Sequence, residues 1–292
     1  MSATWSREGT IRLKDGRKLA FTESGDPRGA PVFFLHGNPG SRYMRHPDDA
    51  LTARLGVRLI TPDRPGYGLS DYQLGRKLVD LPADIEQLAN VLELGRFAVF
   101  GVSAGGPYVA ACAWKLGQRL TRAAIVSGAA PFNRPRALEG VNKDYRTAYT
   151  LATWPPWLLF PLMYMHDQTV RRRPDRALSA LLAQCSPDDR AVLSDPLFAR
   201  QVQGYRGEAS RQGVQGLIRE ARILMSPWGF QLEDIRAEVH LWYWEGDSIV
   251  PLQMGQYLQA RIPGAIPHFL PRGGHFAFFT HWKDILTSLV RP

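Results

Sequence analysis

The sequence predicts an α/β fold in which a mostly parallel central sheet is covered by helices on both faces and is interrupted by an inserted helical segment. Two observations support this prediction. Up to about residue 130, short apolar runs alternate with amphipathic helical stretches, which is the pattern of β-α units that feed a parallel sheet. From about residue 134 to 225 this alternation stops, and the strand pattern returns at 239–244. A chain of 292 residues is long enough for one such domain with an insertion.

The candidate strands are apolar on both faces, as strands buried between two layers of helices must be. They are Val32–Leu35, Val57–Thr61, Phe97–Val102 and Ala123–Ser127, followed after the insertion by Val239–Trp244 and Ala265–Leu270. Ahead of them, Thr10–Leu13 and Lys18–Glu23 are joined across Asp15 and Gly16, a pair typical of tight turns. We expect these two segments to form an antiparallel hairpin at the edge of the sheet.

Helices are predicted where apolar residues recur at helical spacing. The apolar stripe of the first of them consists of Leu81, Ile85, Leu88 and Leu92. Asp80 is expected to cap this helix, Pro82 to lie in its first turn, and Gly95 to end it. Two later helices are predicted over Leu252–Arg261 and Phe276–Val290.

The chain therefore divides into a sheet domain, residues 1–133 and 226–292, and a helical insertion, residues 134–225, that we expect to form a cap or lid. The densest group of large apolar side chains in the insertion consists of Trp154, Trp157, Leu158, Leu159, Phe160, Leu162, Met163 and Met165. These side chains are expected either to line a substrate pocket or to form the insertion's own core. Attachment to a membrane surface is a third alternative.

Composition and charge exclude several classes of protein. With 45% hydrophobic and 22% charged residues, the chain falls in the ordinary globular range. The net charge of +9 raises the question of a polyanionic partner, but the basic residues are scattered and form a dense run only at Arg171–Arg173. The insertion carries 14 Lys and Arg against 9 Asp and Glu, which indicates a mild bias at a substrate entrance. We expect a small-molecule substrate and no nucleic acid.

The cysteine content indicates a reducing compartment, and the apolar segments indicate neither secretion nor a membrane span. Cys112 and Cys185 are too few for a disulfide framework and lack the spacing of a zinc site. The first residues lack the apolar region of a secretory signal, and the longest apolar stretch, Trp154–Met165, is too short to span a bilayer. These features favour a cytoplasmic protein without a membrane span, metal or cofactor. The oligomeric state is left open.

The strongest chemical signal is Gly101–Gly106, which contains a Gly-x-Ser-x-Gly pattern around Ser103. It lies between a predicted apolar strand and a predicted helix. A nucleophile at a sharp strand-to-helix turn needs small neighbours, and Gly101 and Gly105 lie two residues on either side of Ser103. The alternative is a glycine-rich turn with an incidental serine.

This turn resembles the nucleophile elbow of the α/β-hydrolase superfamily, in its serine branch with an inserted helical cap. The resemblance implies an acid after a late strand and a histidine beyond the last strand. Asp247 lies in Gly246–Pro251, which looks like the acid loop of the family, and His275 follows the last predicted strand. Glu245 is a rival acid that matches the family pattern less well. The implied catalytic set is Ser103, Asp247 and His275.

The same resemblance extends to two loops that follow earlier strands. His36–Gly40 is similar to the His-Gly-x-Pro loop of the family, and it implies that the backbone NH groups of Asn38 and Ala104 form the oxyanion hole. Asp63–Ser70 looks like the Asp-x-x-Gly-x-Gly-x-Ser loop, whose role in the family is architectural.

We therefore expect a carboxylic-ester hydrolase that acts through an acyl-enzyme on a small to medium, mainly apolar substrate. A proline iminopeptidase is one alternative, because the insertion contains Glu208 and Glu220, and acids of this kind are needed to bind a substrate ammonium group. A carbon-carbon bond hydrolase is another. A member of the fold that binds a ligand without hydrolysis is the alternative from a different class.

Overall fold

The computed structural model describes residues 5–291, which form an eight-stranded sheet with helices on both faces. Residues 1–4 and 292, which belong to the predicted sheet domain, lie outside the described residues. The strands are β1 (Trp5–Arg12), β2 (Lys18–Gly25), β3 (Ala30–Leu35), β4 (Val57–Pro62), β5 (Phe97–Val102), β6 (Leu120–Val126), β7 (Val239–Trp244) and β8 (Ile266–Leu270). The helices are α1 (Asp49–Arg54), α2 (Leu81–Val91), α3 (Gly106–Lys115), α4 (Lys143–Leu151), α5 (Pro156–Arg172), α6 (Pro174–Gln184), α7 (Pro187–Leu193), α8 (Pro196–Ala209), α9 (Gln215–Leu224), α10 (Leu252–Arg261) and α11 (Trp282–Val290).

The strand order of the sheet is β1-β2-β4-β3-β5-β6-β7-β8. β2 pairs antiparallel with both β1 and β4, and the other neighbouring strands pair parallel. The prediction of a mostly parallel sheet with an antiparallel hairpin at its edge is therefore confirmed. Because parallel strands end at the same edge, the loops after β3, β5, β7 and β8 open on one side of the sheet.

Two apolar cores lie on opposite faces of the sheet. One is formed with α2, α3 and α10, and the other with α1 and α11. The central strand β5 is buried along its whole length, which explains its uninterrupted apolar sequence. The loop after β5 is therefore anchored to a fully buried strand.

The ends of three elements differ from the prediction. The hairpin strands extend further, to Trp5–Arg12 and Lys18–Gly25. The side chain of Asp80 caps no NH of α2, since it accepts from the backbone NH of Lys77 instead. The last helix begins at Trp282 rather than at Phe276, because the residues between them form consecutive turns.

Gly95 does not end α2, contrary to the prediction. The helix stops at Val91, and Glu93 takes the left-handed conformation with φ of 56°. The NH of Leu94 then bonds to the carbonyl of Ala89, and the NH of Glu93 to the carbonyl of Asn90. This is the hydrogen-bond pattern of a Schellman motif, with a glutamate where glycine is usual.

Between β6 and β7 the chain forms the six helices α4–α9. They fall within the predicted helical insertion. A third, smaller apolar cluster joins α5, α8 and α9 to Tyr67 of the loop after β4. Among residues 5–291, no helix combines the length and apolarity needed to cross a bilayer.

Candidate active site

Ser103 lies on a sharp turn between β5 and α3, with a backbone φ of 58° that side-chain-bearing residues rarely adopt. The glycines around it are required by the space available. A Cβ on Gly105 would lie 2.1 Å from the carbonyl oxygen of Leu35, and one on Gly101 would lie 2.8 Å from the carbonyl oxygen of Gly105. The turn is therefore built as an elbow that lifts one serine above the sheet edge.

Asp247 and His275 come together on the same sheet edge, from the loops after β7 and β8. The Nδ1 atom of His275 lies 2.9 Å from Oδ2 of Asp247. The other carboxylate oxygen accepts hydrogen bonds from the backbone NH groups of Ile249 and Val250, at 2.9 and 2.8 Å. Both Asp247 oxygens are thus used, and this fixes the direction in which the carboxylate meets the imidazole. The rival acid Glu245 is exposed to solvent.

The electrostatic surroundings of His275 favour its protonated form. Burial by itself disfavours a charged imidazole, but the Asp247 carboxylate outweighs burial through its charge and its hydrogen bond, and Asp189 adds to the effect. The net result is that the pKa of His275 is raised above its ordinary value of 6.5. The site is thus arranged to stabilise an imidazolium.

Ser103 and His275 are both nearly buried, at 8% and 7% exposure. Among the described residues, the hydrogen-bond network does not join Ser103 Oγ to the His275 ring. Nucleophile-to-base contacts are often long in ligand-free sites and shorten when substrate binds. The described residues also contain no group of three or more His, Cys, Asp or Glu side chains placed to hold a metal ion.

The loop after β3 lies against the elbow. A Cβ on Gly37 would lie 3.4 Å from the Cβ of Ser103, which brings the following residue, Asn38, to the nucleophile. The side-chain oxygen of Asn38 accepts a hydrogen bond of 3.0 Å from the Tyr67 hydroxyl. Ala104 follows Ser103 directly and is 3% exposed. Asn38 and Ala104 thus flank Ser103 from two different loops.

His36 fixes the shape of this loop as a neutral residue. Its Nδ1 atom lies 2.9 Å from the carbonyl oxygen of Gly37, and its Nε2 atom lies 3.2 Å from the backbone NH of Arg64. This arrangement requires a proton on Nδ1 and none on Nε2. Burial, followed by the positive charge of Arg64, lowers the pKa of His36 well below its ordinary value.

Arg64 connects the same loop to the helical insertion, a connection that the sequence analysis missed. The Arg64 guanidinium donates to the carbonyl oxygens of His36 and Gly37. It also forms an ion pair of 3.3 Å with Glu220 of α9, and Arg76 donates to the same glutamate at 2.7 Å. Tyr108 of α3 donates a third contact to Glu220 at 3.0 Å. All four side chains are at most 1% exposed, so a buried acid of the insertion is the shared counter-ion of the two cations beneath the loop.

Asp63 has an architectural place. It accepts from the backbone NH of Arg42 at 2.6 Å, from the Arg42 guanidinium at 2.8 Å, and from the backbone NH of Leu69 at 3.0 Å. Glu208 of α8 binds the same guanidinium at 2.7 Å. A Cβ on Gly68 would lie 2.1 Å from Asp63 Oδ2, which explains the glycine in this loop.

Aromatic side chains of the insertion lie close to the acid loop. The backbone NH of Asn142 donates to the carbonyl of Ser248 at 2.8 Å, and the Asn142 side chain caps α4. From this tether α4 places Tyr145 and Tyr149 near Asp247. Burial raises the pKa of Tyr149, and the charges of Asp247 and Glu220 add to the increase. The Tyr149 ring lies 4.6 Å from that of Phe132.

The apolar residues at 154–165 are mostly exposed, so the expectation that they form the insertion's own core is met only by Leu159 and Met163. Leu159 is buried, and Met163 packs against the third apolar cluster. The exposed members are Trp154, Trp157, Leu158, Phe160, Leu162 and Met165. The physical reason is that α5 contacts the rest of the molecule along one narrow face only.

Comparisons with known proteins were consistent with this geometry. A sequence model of the alpha/beta hydrolase family matches residues 32–287. The 2-hydroxy-6-oxo-6-phenylhexa-2,4-dienoate hydrolase of Burkholderia cepacia is 27% identical over 271 residues, which is 87% of this chain and 84% of that protein. The proline iminopeptidase of Neisseria gonorrhoeae is 34% identical over 106 residues, about a third of each chain.

The fold also matches solved structures. A hydrolase from Pseudomonas aeruginosa PA01 superposes with a TM-score of 0.72 at 18% identity, over 98% of this chain and 99% of that one. At this identity the match speaks for the fold alone.

Proposed function

The chain belongs to the alpha/beta hydrolase family, and from this premise we propose that it is a serine hydrolase that cleaves a carboxylic ester of a small to medium, mainly apolar substrate through an acyl-enzyme. The observation that supports this most is the 2.9 Å contact between His275 Nδ1 and Asp247 Oδ2 on the same sheet edge as Ser103. A buried serine elbow beside an oriented, easily protonated imidazole is suited to nucleophilic catalysis.

In the first half of the proposed reaction, Ser103 Oγ attacks the ester carbonyl carbon while its proton passes to Nε2 of His275. The carbonyl oxygen becomes an oxyanion that accepts from the backbone NH groups of Asn38 and Ala104. Collapse of this intermediate breaks the bond between the carbonyl carbon and the leaving oxygen. The proton on His275 goes to that oxygen, so the alcohol departs neutral and Ser103 remains acylated.

In the second half, water attacks the acyl carbon while His275 takes one of its protons. The bond between Ser103 Oγ and the acyl carbon breaks, and His275 returns the proton to Oγ. The products are the carboxylic acid and the free enzyme. In both halves Asp247 holds the imidazole in one tautomer and stabilises its charged form.

We further propose that the helical insertion, residues 134–225, acts as a lid and supplies the apolar part of the substrate pocket. The support for this is the position of Tyr145 and Tyr149 beside the acid loop, and of Phe132 against Tyr149. Aromatic rings at these places suit an apolar acyl or alcohol group. The unpaired state of both cysteines supports a cytoplasmic location.

Carbon-carbon bond hydrolysis is the second candidate, because the Burkholderia cepacia relative is named for such a substrate and aligns over 87% of this chain. The iminopeptidase alternative has less support. It requires free acids to bind a substrate ammonium, whereas Glu220 is neutralised by Arg64 and Arg76, and Glu208 by Arg42.

The proposal is tested by measuring turnover of short aryl esters and labelling by a fluorophosphonate for the wild type and Ser103→Ala. We expect labelling and turnover in the wild type, and a loss of turnover of about 10⁴-fold or more in the variant. Ser179→Ala, at an exposed serine of α6, is the matched control and should behave as the wild type.

Equal activity of Ser103→Ala and the wild type would contradict the role of Ser103. Labelling without turnover of any ester would favour the carbon-carbon substrate class, which the same assay tests with a vinylogous 1,5-diketone acid. Neither labelling nor turnover would favour the non-hydrolytic alternative.

A further inference from the structure

Two carboxylates of the helical insertion contact the loop that carries His275. They are Asp188 and Asp189, in the first turn of α7. Asp188 Oδ2 accepts from the backbone NH of Gly273 at 2.7 Å, and Asp189 Oδ1 accepts from the backbone NH of Phe276 at 2.7 Å. The two contacts bracket His275 along the chain. The insertion therefore holds the histidine loop by hydrogen bonds on both sides of His275.

The two acids differ in burial, since Asp189 lies inside this contact and Asp188 at its solvent-exposed edge. Asp189 is 1% exposed, and Asp188 is exposed. The hydroxyl of Ser186 donates to Asp189 Oδ2 at 3.0 Å. A Cβ on Gly274 would lie 2.3 Å from Asp189 Oδ2, so the histidine loop passes against this carboxylate with no side chain between them. A glycine is needed at 274 because the acid occupies its side-chain space.

A carboxylate buried to this degree is costly unless its charge is compensated. The hydrogen bond from Phe276 and the hydroxyl of Ser186 satisfy its oxygens but supply no cation. Among the described residues, the cation with the largest effect on Asp189 is His275 in its protonated form. Charge on the imidazole is thus stabilised by two acids, Asp247 from the sheet domain and Asp189 from the insertion.

From this geometry we infer that Asp189 is a positioning residue of the catalytic machinery. It fixes the His275 loop, and it stabilises the imidazolium from the helical insertion, whereas Asp247 does so from the sheet domain. The inference rests on the proposed function, because it assigns a base role to His275. Its consequence is that the base is complete only while α7 is docked, which makes activity depend on the position of the insertion.

Two further titratable groups near this pair are neutral at physiological pH. Tyr145 of α4 and Cys185, which ends α6, face Asp189. Burial raises the pKa of Tyr145, and burial followed by the charge of Asp189 raises the pKa of Cys185 to about 12. Arg206 of α8 faces these two groups rather than His275. The charged groups that oppose the effect of burial on the pKa of His275 are therefore Asp247 and, to a smaller extent, Asp189.

The test compares Asp189→Asn with the wild type. Asparagine keeps an oxygen for the Phe276 NH and a polar group for Ser186, but removes the charge. We expect kcat/KM for an aryl ester to fall about tenfold, as loss of one charged hydrogen-bonding partner does. We also expect the acid limb of the kcat/KM profile, and the imidazole titration of His275 followed by NMR, to move to lower pH.

Asp188→Asn is the matched control, since it changes the neighbouring exposed acid of the same helix turn. Its acid limb and its NMR titration should coincide with those of the wild type. Asp189→Ala, which removes the hydrogen bond as well, should lose more activity than Asp189→Asn and should lower the melting temperature.

If the role of Asp189 were purely structural, Asp189→Asn would keep the melting temperature of the wild type. It would also leave the acid limb of the kcat/KM profile and the NMR titration of His275 unchanged. That result would overturn the inference. Failure of the proposed function is recognised separately, since the wild type would then lack ester turnover, with or without fluorophosphonate labelling. The NMR titration of His275 still reports on Asp189 in that case.

A second inference concerns the exposed side of α5. Its first three turns expose large apolar side chains over most of the helix circumference, with Trp157 at 72% and Met165 at 69%. The other exposed members of this apolar surface are Trp154, Leu158, Phe160, Leu162 and Tyr164. Exposed apolar groups of this number in one patch mark a binding surface rather than scattered surface residues.

The charge beside this surface is predominantly positive. Within residues 143–176, the exposed basic side chains are Lys143, Arg146, Arg171–Arg173 and Arg176, against the exposed acids Asp144 and Asp175. A third acid, Asp167, is buried and bonded to the Ser210 hydroxyl. Aromatic and aliphatic groups followed by arginines complement the interface of a negatively charged bilayer. We propose that the α5 surface binds anionic lipid membranes peripherally.

Vesicle co-sedimentation tests this with phosphatidylcholine alone and with phosphatidylcholine containing phosphatidylglycerol. We expect binding to the anionic vesicles that is reduced at least severalfold by Trp157→Ser and by Arg171→Glu/Arg172→Glu. Leu74→Ser, at a loop residue 89% exposed on the sheet domain, is the matched control and should bind as the wild type. Equal binding of all variants would overturn the proposal, as would a dimer in solution that Trp157→Ser dissociates, because a second copy would then cover the surface.

Discussion

The sheet edge and the helical insertion contribute to the candidate site in different ways. The sheet edge supplies Ser103, Asp247 and His275 on short loops that leave buried strands. The insertion supplies two buried acids, Asp189 and Glu220, each of which contacts a loop of the sheet edge. The first group would perform the chemistry, and the second fixes the loops that present it. The comparison indicates that residues 134–225 help to fix the loops of the proposed catalytic residues, in addition to their proposed role as a lid.

The largest effect should come from the sheet edge. His275→Gln removes the proposed base, and we expect kcat/KM to fall by about 10⁴-fold or more while the far-UV circular dichroism and the melting temperature stay close to those of the wild type. His166→Gln, at an exposed histidine of α5, should keep full activity. A collapse of the melting temperature in His275→Gln would instead make this residue structural.

Substitution of Glu220 tests whether the loop after β3, which carries the proposed oxyanion-hole residue Asn38, depends on the insertion for stability. Glu220→Gln leaves Arg64 and Arg76 buried without a counter-charge, which should lower the free energy of unfolding by roughly 3–5 kcal/mol in urea titrations. Glu139→Gln, an exposed acid of the same insertion, should change it by less than about 0.5 kcal/mol. A small loss in Glu220→Gln would mean that the sheet domain shapes this loop alone.

The pH dependence of the wild type follows from the raised pKa of His275. Catalysis needs the neutral imidazole, so kcat/KM should rise with pH through a midpoint above 6.5, the ordinary value for histidine. Asp247→Asn should move this midpoint down as well as reducing the rate. A wild-type midpoint below 6.5 would show that burial, and not the two acids, dominates the titration.

The smallest predicted effect concerns protein stability and contrasts the two histidines of the site. The pKa of His275 is raised, so its contribution to stability is complete below 6.5 and is lost as pH rises through the folded-state value. The pKa of His36 is lowered, so its contribution is present above 6.5 and is lost as pH falls below that value. In His36→Asn the decline of the free energy of unfolding between pH 6.5 and 5 should be shallower, as measured by urea titration at each pH. An unchanged slope would contradict the neutral assignment of His36.

Much of the sheet domain was predictable from the sequence because its signals are local. Apolar runs located six of the eight strands to within a few residues, and the hairpin turn located β1 and β2. The elbow was recognisable because Gly101 and Gly105 are needed by contacts within a few residues of Ser103 and with one adjacent strand. The ends of α2 and α11 were missed because the left-handed Glu93 and the turns before Trp282 are held by backbone hydrogen bonds and packing that residue preferences do not specify.

By itself the sequence predicted the succession of strands along the chain, the family to which the chain is similar, and the residues that are proposed to carry out the chemistry. Only the tertiary structure decided that Asp189 meets the His275 loop, 87 residues away, and that Glu220 binds Arg76, 144 residues away. In the sequence Asp189 is an ordinary acid in the first turn of a helix, and Glu220 an ordinary charge on an amphipathic one. Their partners are fixed by how the insertion packs on the sheet, and this depends on long-range burial that helical periodicity does not encode.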